Sequence, residues 1–311
     1  MTPRPFVTVL LAATFAACGA EDDAEPAAEG AAEGTASAME VEGGFSTPES
    51  VLHDEAADVY LVSNIRGGPL DKDGDGYVSR VSPDGEILEP RWIDGSADGV
   101  TLHAPKGMAL LGDTLYVADI DCVRMFARTS GQSAGEVCIP GATFLNDIAT
   151  DANDVLYVTD TGMQAGEGGF EPSGSDAIHR FSPDGRSAAL AQGESLGNPN
   201  GIAFGDRGGF VVTFGSGEIY QIGADGSKTE VLPAAEGRQL DGIVFMPDGG
   251  FLFSSWGDRS VTLVAPDGSV RRILEDVEAP ADIGYDATRG RVLVPLFNDD
   301  RVLIQDVAEG G

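Results

Sequence analysis

Short apolar runs, broken by Asn-Gly, Asp-Gly and Pro-Asp-Gly, fill the chain beyond its N-terminus. None of these runs is extended into a long amphipathic helical period, so the pattern predicts an all-β chain. The first run of each unit has a fixed shape, a polar amide or carboxylate, then a small or polar residue, then an apolar strand. It is clearest at Asn200-Gly201-Ile202-Ala203-Phe204, Asn146-Asp147-Ile148-Ala149 and Asp241-Gly242-Ile243-Val244-Phe245. Looser copies stand at Glu49-Ser50-Val51-Leu52, Lys106-Gly107-Met108-Ala109 and Asp282-Ile283-Gly284-Tyr285. These six copies are separated by roughly 40 to 57 residues, the period of propeller repeats.

Each copy is followed by a second strand, such as Val59-Tyr60-Leu61-Val62 or Val155-Leu156-Tyr157-Val158. A third strand then runs into a turn such as Ser82-Pro83-Asp84-Gly85 or Ala265-Pro266-Asp267-Gly268, and a fourth strand completes the unit. Asp-Gly suits a tight hairpin because Gly accepts positive φ and Asp caps its own backbone. Four antiparallel strands in each of six units predict a six-bladed β-propeller over 37–311. The last unit, from Asp282, has room for three strands, so the segment around Ala38-Met39-Glu40-Val41 is expected to supply its outer strand. Two longer connections, Arg66 to Gly76 and Gly162 to Ser175, follow second strands and are expected to overhang the face where the polar residues gather.

The 311 residues, 42% of them hydrophobic, suffice for a well-buried core. The net charge of −32 comes from 51 acidic and 19 basic residues. Such a surface repels phosphate backbones and anionic lipid headgroups, which excludes a nucleic-acid partner. It suits metal cations or a salty medium, although most of these charges serve simply as a solvated surface.

Residues 1–18 read as a secretory signal with an apolar core Phe6-Val7-Thr8-Val9-Leu10-Leu11, too short to span a bilayer permanently. Its ending Ala16-Ala17-Cys18 resembles a bacterial lipobox, in which Cys18 is lipidated; Phe15 departs from the usual Leu. The expectation is a lipoprotein anchored in a bacterial cell envelope, facing the periplasm or exterior, with ordinary secretion as the alternative. Residues 19–36 hold Ala, Glu, Gly and Asp without large apolar side chains and read as a disordered tether. Cys122 and Cys138 fall on the third and fourth strands of blade 2. In an oxidising compartment they favour a hairpin disulfide over two buried thiols.

First strands of a propeller line its central channel, so the residues at their heads converge in space. Glu49, Asn146, Asn200 and Asp241 then offer carboxylate and amide oxygens suited to a hard divalent cation, Ca²⁺ foremost, then Mg²⁺, Mn²⁺ or Zn²⁺. The same residues serve as strand-initiating turns if no ion binds. Lys106 either contacts an anionic substrate or neutralises the ring of carboxylates. Asp71-Lys72-Asp73-Gly74-Asp75-Gly76 matches the opening of a calcium loop, a second cation candidate through Asp71, Asp73 and Asp75. Ser82 stands where such a loop needs Glu, and an exposed hairpin loop is the competing reading.

Pro48-Glu49, Phe144-Leu145-Asn146-Asp147, Pro199-Asn200-Gly201-Ile202 and Leu240-Asp241-Gly242-Ile243 resemble, in order, signatures of the regucalcin (senescence marker protein 30)/gluconolactonase family of six-bladed propellers. The resemblance covers most of the chain from about residue 45. It implies Glu49, Asn200 and Asp241 as metal ligands, Asn146 near metal and substrate, and Asp241 as general base opening a lactone by attack of water. Some sugar-lactonase members carry Arg at the position of Phe144, so this chain departs toward a more apolar small-molecule substrate. The expected function is a metal-dependent hydrolase of lactones or related esters. The alternative is a propeller that binds a ligand or protein without catalysis, around a structural cation.

Overall fold

Each apolar run folds as a strand, and four successive strands pair antiparallel into a blade. The computed structural model describes residues 38–307 except 168. The signal segment, Cys18 and the tether over 19–36 lie outside the described residues. Blade 1 comprises Pro48–Asp54, Val59–Asn64, Tyr77–Val81 and Ile87–Asp94. Blade 2 comprises Pro105–Leu111, Thr114–Asp119, Cys122–Ala127 and Ser133–Cys138. Blade 3 comprises Leu145–Thr150, Leu156–Asp160, Ala177–Phe181 and Ser187–Gln192. Blade 4 follows with Pro199–Gly205, Gly208–Thr213, Ile219–Ile222 and Lys228–Leu232, and blade 5 with Leu240–Phe245, Phe251–Ser255, Ser260–Val264 and Val270–Leu274.

Blade 6 takes Gly284–Asp286, Arg291–Leu296 and Arg301–Asp306 from the C-terminal part and Ala38–Glu42 from the N-terminal part. Register runs from Ala38 opposite Gln305 to Glu42 opposite Arg301. The fold is therefore the six-bladed, four-stranded antiparallel propeller that the repeat spacing predicts, closed by the expected exchange of strands.

Second strands are buried along nearly their whole length, as Val59–Asn64 and Leu156–Asp160 are, because both faces of a blade pack against neighbours. That is why they read as continuous apolar runs rather than alternating ones. Outer strands such as Ser133–Cys138 and Lys228–Leu232 are largely exposed. The core is divided into wedges between adjacent blades. One joins Tyr116, Val123, Ile148 and Phe181 across blades 2 and 3; another joins Val41, Val51, Tyr60, Leu293 and Ile304 across the closure. The Asp-Gly turns hold Gly85, Gly185, Gly226 and Gly268 at φ of 82–89°, where a Cβ would be strained. Cys122 and Cys138 are directly opposed in blade 2 and form a disulfide.

Deleting residues 38–42 removes the buried Val41 and one whole ladder of blade 6. A buried Val contributes about 2 kcal/mol and each ladder hydrogen bond about 1 kcal/mol net. The melting temperature is expected to drop by on the order of 10 °C. Differential scanning calorimetry of the truncated chain checks this; an unchanged transition would contradict closure by this strand.

Candidate functional site in the central channel

The first strands share one local device. In blades 1 to 5 the register against the second strand slips by one residue at the polar head, between Pro48 and Ser50 in blade 1 and between Leu145 and Ile148 in blade 3. Such a bulge re-aims a side chain that would otherwise lie against the blade. Hydroxyls of the second strands satisfy the freed amides. Ser63 accepts from the Ser50 N–H at 2.9 Å, Thr159 from Asp147 at 3.0 Å and Ser254 from Gly242 at 2.8 Å. Thr159 and Ser254 also donate to the next blade, to the Asn200 carbonyl at 2.6 Å and the Ala281 carbonyl at 2.8 Å.

The result is a set of buried polar groups. Glu49, Asn146, Asn200 and Asp241 are each 5% exposed or less. Glu49 Oε2, Asn146 Oδ1, Asn200 Oδ1 and Asp241 Oδ1 are fully buried and have no hydrogen-bond partner. The orientation of Asn146 follows from its neighbours. Thr161 Oγ1 donates its one proton to the Pro199 carbonyl at 2.9 Å, so it accepts from the Asn146 amide at 3.0 Å. The Asn146 oxygen is thereby left unpaired. A buried, unpaired oxygen costs about 1–3 kcal/mol, so four in equivalent slots call for a common partner.

Blade 6 differs from the sequence expectation. In blades 1, 3, 4 and 5 the residue after the second strand donates its N–H to the carbonyl two places before the head, Ile65 to Thr47, Thr161 to Phe144, Phe214 to Asn198 and Trp256 to Gln239, and in blade 6 Phe297 donates to Ala279. By this equivalence the head of blade 6 is Ala281, and Asp282 stands one place further along. Ala281 brings no donor to the ring. The adjacent slot reads Ser50, Gly107, Asp147, Gly201, Gly242 and Asp282, which places acids in blades 3 and 6 only. A Cβ at Gly107 would come within 2.2 Å of Asp147 Oδ1, and one at Gly242 within 2.7 Å of the Asp282 Cα. These glycines make the space the two aspartates need.

Asp147 and Asp282 stitch blades together. Asp147 accepts from the N–H groups of Ile148 and, in blade 4, Ile202, each at 2.7 Å. Asp282 accepts from the Ser50 hydroxyl in blade 1 at 2.5 Å. The sequence pattern missed both roles. The signal that would have found them is the alternation of Asp with Gly in a slot otherwise filled by small residues.

Charge in the channel is crowded. Burial, then the charges of Asp241, Asp282 and Asp147, push the Glu49 carboxyl well above its ordinary range, against the pull of Lys106. Burial and Asp282 do the same to Asp241, with the Trp256 indole N–H beside it acting the other way. Asp147 is raised by burial and by Asp282, despite its two backbone donors. Burial lifts Asp282 to about 7, against the Ser50 hydroxyl. Lys106 is lowered by burial to about 8, and Glu49 and Asp119 oppose that shift.

Lys106 is 1% exposed, and its Nζ donates to the Pro69 carbonyl at 3.0 Å and the Ala104 carbonyl at 2.9 Å while lying 4.7 Å from the centre of the Phe144 ring. Its charge also acts on Glu49, each favouring the other's ionised form. Pro69 belongs to the first long connection. The second folds into a hairpin, Met163–Gly166 with Gly169–Pro172, whose exposed Phe170 meets Phe144 edge-on at 6.1 Å. Both long connections thus reach the head face.

The Asp71, Asp73 and Asp75 loop is held by local contacts. Asp71 caps the Gly68 N–H at 3.0 Å, Asp73 accepts from the Asp75 N–H at 3.1 Å, and Arg66 pairs with Asp75 at 3.2 Å. Among the described residues, the one cluster of three His, Cys, Asp or Glu side chains with ligand atoms within 4.8 Å of one another is Cys122, Glu136 and Cys138, whose sulfurs are joined to each other. The three histidines lie outside the ring: His53 against Tyr60, His103 accepting from the Gly74 N–H, and His179 in the third strand of blade 3.

A gluconolactonase of Xanthomonas campestris superposes with a TM-score of 0.67 at 17% identity, covering 88% of this chain and 91% of that one. The chain has the fold of the regucalcin/gluconolactonase propellers. A second solved structure, described as a putative gluconolactonase, gives a TM-score of 0.66 at 18% identity over 88% and 92% of the two chains. The virginiamycin B lyase of Staphylococcus aureus gives 0.58 at 14% identity over 88% and 100%. No protein-family model matches the chain, and no curated protein matches it. At these identities the likeness is one of fold, and chemistry is argued from the channel itself.

Proposed function

We propose that the chain is a divalent-cation-dependent hydrolase that opens lactones or related cyclic esters at the head of the channel. The observation that carries this reading is the set of four buried, unpartnered oxygens from Glu49, Asn146, Asn200 and Asp241. Two carboxylates and two amide oxygens form a hard, all-oxygen donor set with partial negative charge, which fits Ca²⁺ or Mg²⁺ better than a thiophilic metal. Glu49, Asn200 and Asp241 would hold the ion, and Asn146 would stand between ion and substrate. Raised carboxyl groups crowded together are the expected signature of such a donor set without its ion.

When bound, the cation supplies Lewis-acid chemistry, lowering the pKa of water and polarising the ester carbonyl. Asp241 takes the proton of the attacking water as its oxygen bonds to the carbonyl carbon. The ring C–O bond then breaks, and the departing oxygen receives that proton. One water is consumed, and an open hydroxy acid leaves. Glu49, whose charged form Lys106 favours, would be held ionised by the bound cation. The gluconolactonase fold supports the reading as analogy. A lipid anchor at Cys18 belongs to the same proposal.

The test is a chelator-treated protein titrated with Ca²⁺, Mg²⁺, Mn²⁺ or Zn²⁺ by calorimetry, and assayed on a lactone panel before and after cation is restored. Hydrolysis that disappears with chelation and returns with the cation is expected. Cation binding without hydrolysis would instead indicate a binding propeller, and no cation binding at all would remove both readings.

A further inference from the structure

Above the ring of oxygens the head face is apolar. The positions that follow the second strands hold Phe214, Trp256 and Phe297 in blades 4, 5 and 6, equivalent by the hydrogen bonds given above. Phe214 meets Trp256 edge-on with ring centres 5.5 Å apart, and Trp256 meets Phe297 at 5.1 Å. Phe297 packs on a cluster of Ile65, Ala104 and Ile120, which carries the apolar rim round to blades 1 and 2. In blade 3 the rim position is the small Thr161, and its hydrogen-bond partner Phe144 supplies the ring instead, with Phe170 against it. Phe144, Phe214, Trp256 and Phe297 are all partly exposed. Large aromatic side chains left partly open around a buried polar floor form the wall of a ligand site.

Resting on the hydrolase reading, we propose that the substrate is a neutral, apolar lactone bearing a flat ring, seated against Phe144, Phe214, Trp256 and Phe297. The polar groups of the mouth are engaged elsewhere. Lys106 Nζ serves two carbonyls, the Thr143, Ser173 and Ser175 hydroxyls bond one another at 2.8–2.9 Å, and the Asn198 amide donates to the Thr161 carbonyl at 2.9 Å. A polyhydroxylated ring placed here would bring hydroxyls that find no partners and would be disfavoured for that reason. An anionic substrate would face the buried acids and the net charge of −32. One donor faces the reacting groups. Trp256 Nε1 is buried beside the Asp241 carboxyl, toward which its N–H is directed. It is placed to orient Asp241, which makes Trp256 a positioning residue as well as a wall.

The test compares dihydrocoumarin with glucono-1,5-lactone on the cation-loaded protein, and measures binding of the non-hydrolysable lactam 3,4-dihydroquinolin-2-one by tryptophan fluorescence. Trp92 and Trp256 are the two tryptophans of the chain, so a Trp92→Phe background reports from the rim alone. Expected is a preference of about 100-fold in kcat/KM for dihydrocoumarin. Phe214→Ala and Phe297→Ala should each raise its KM and the lactam Kd about 10-fold, with kcat and cation affinity within about 2-fold. Trp256→Phe keeps the ring and removes the N–H, and should lower kcat more than it raises KM. Rim-dependent lactam binding without hydrolysis of any lactone would uphold the wall and discard the hydrolase reading. Preference for the sugar lactone, absence of lactam binding, or binding indifferent to both alanine variants would overturn the proposal.

Discussion

Asp241→Asn is expected to lower kcat/KM on any lactone by about 10³-fold or more, the scale of losing a general base together with a metal ligand. The same substitution has a second, opposite effect that separates its causes. Asp241 is buried among Glu49, Asp147 and Asp282, so its ionised carboxylate opposes folding when no cation is present. A neutral isostere relieves that repulsion. The chelated variant should therefore melt a few degrees above the chelated parent, whereas the parent should overtake it once Ca²⁺ is added. Thermal unfolding with and without cation, read beside activity, decides the matter. A variant that loses activity yet gains from Ca²⁺ as much as the parent does would remove Asp241 from the ligand set.

The pH dependence of the chelated protein should run against the usual sense of acid denaturation. The carboxyls of Glu49, Asp147, Asp241 and Asp282 are raised, Asp282 to about 7. Between pH 4 and 7 the folded chain then binds more protons than the unfolded chain, so stability falls as pH rises through that window. Lys106, lowered to about 8, is charged throughout the window and changes its contribution only above it. His179, lowered by burial, titrates with the opposite sign near the upper half of the window. Because His179 lies outside the ring, the difference between cation-loaded and chelated protein isolates the channel. Loss of on the order of 5 °C in Tm from pH 4.5 to 7 is expected without cation, and little loss with it. Equal slopes in both conditions would show that the acids carry no ion.

The fold was legible because its signals are local and repeated. Asp-Gly turns, apolar second strands and a regular head motif each follow from backbone chemistry, and a missing outer strand in the last unit pointed to its replacement at Ala38–Glu42. The heads of blades 1 to 5 were legible for the same reason. Blade 6 was not, because Asp282 and Ala281 are neighbours and only the hydrogen bond from the Phe297 N–H to the Ala279 carbonyl shows which one stands at the head. Lys106 could be placed in the channel, but not which of its partners it serves, since Pro69 is distant in sequence. The aromatic rim was beyond reach too. Phe214, Trp256 and Phe297 carry no shared motif, and their kinship lies in a register position that only the assembled blades reveal.

Closure of blade 6 has a consequence for synthesis. The first strand of the domain can find its partner only after Arg301–Asp306 has been made, so the nascent chain carries an open edge through nearly the whole of translation. Glu49 lies next to that seam, with its carbonyl accepting from the Asp282 N–H at 2.9 Å. The oxygens of blades 3, 4 and 5 can approach one another as those blades form, but the Glu49 carboxylate joins them only when the ring shuts. On the proposed ligand set, capture of a cation would be timed to the last event of folding, and an ion arriving early would meet an incomplete cage.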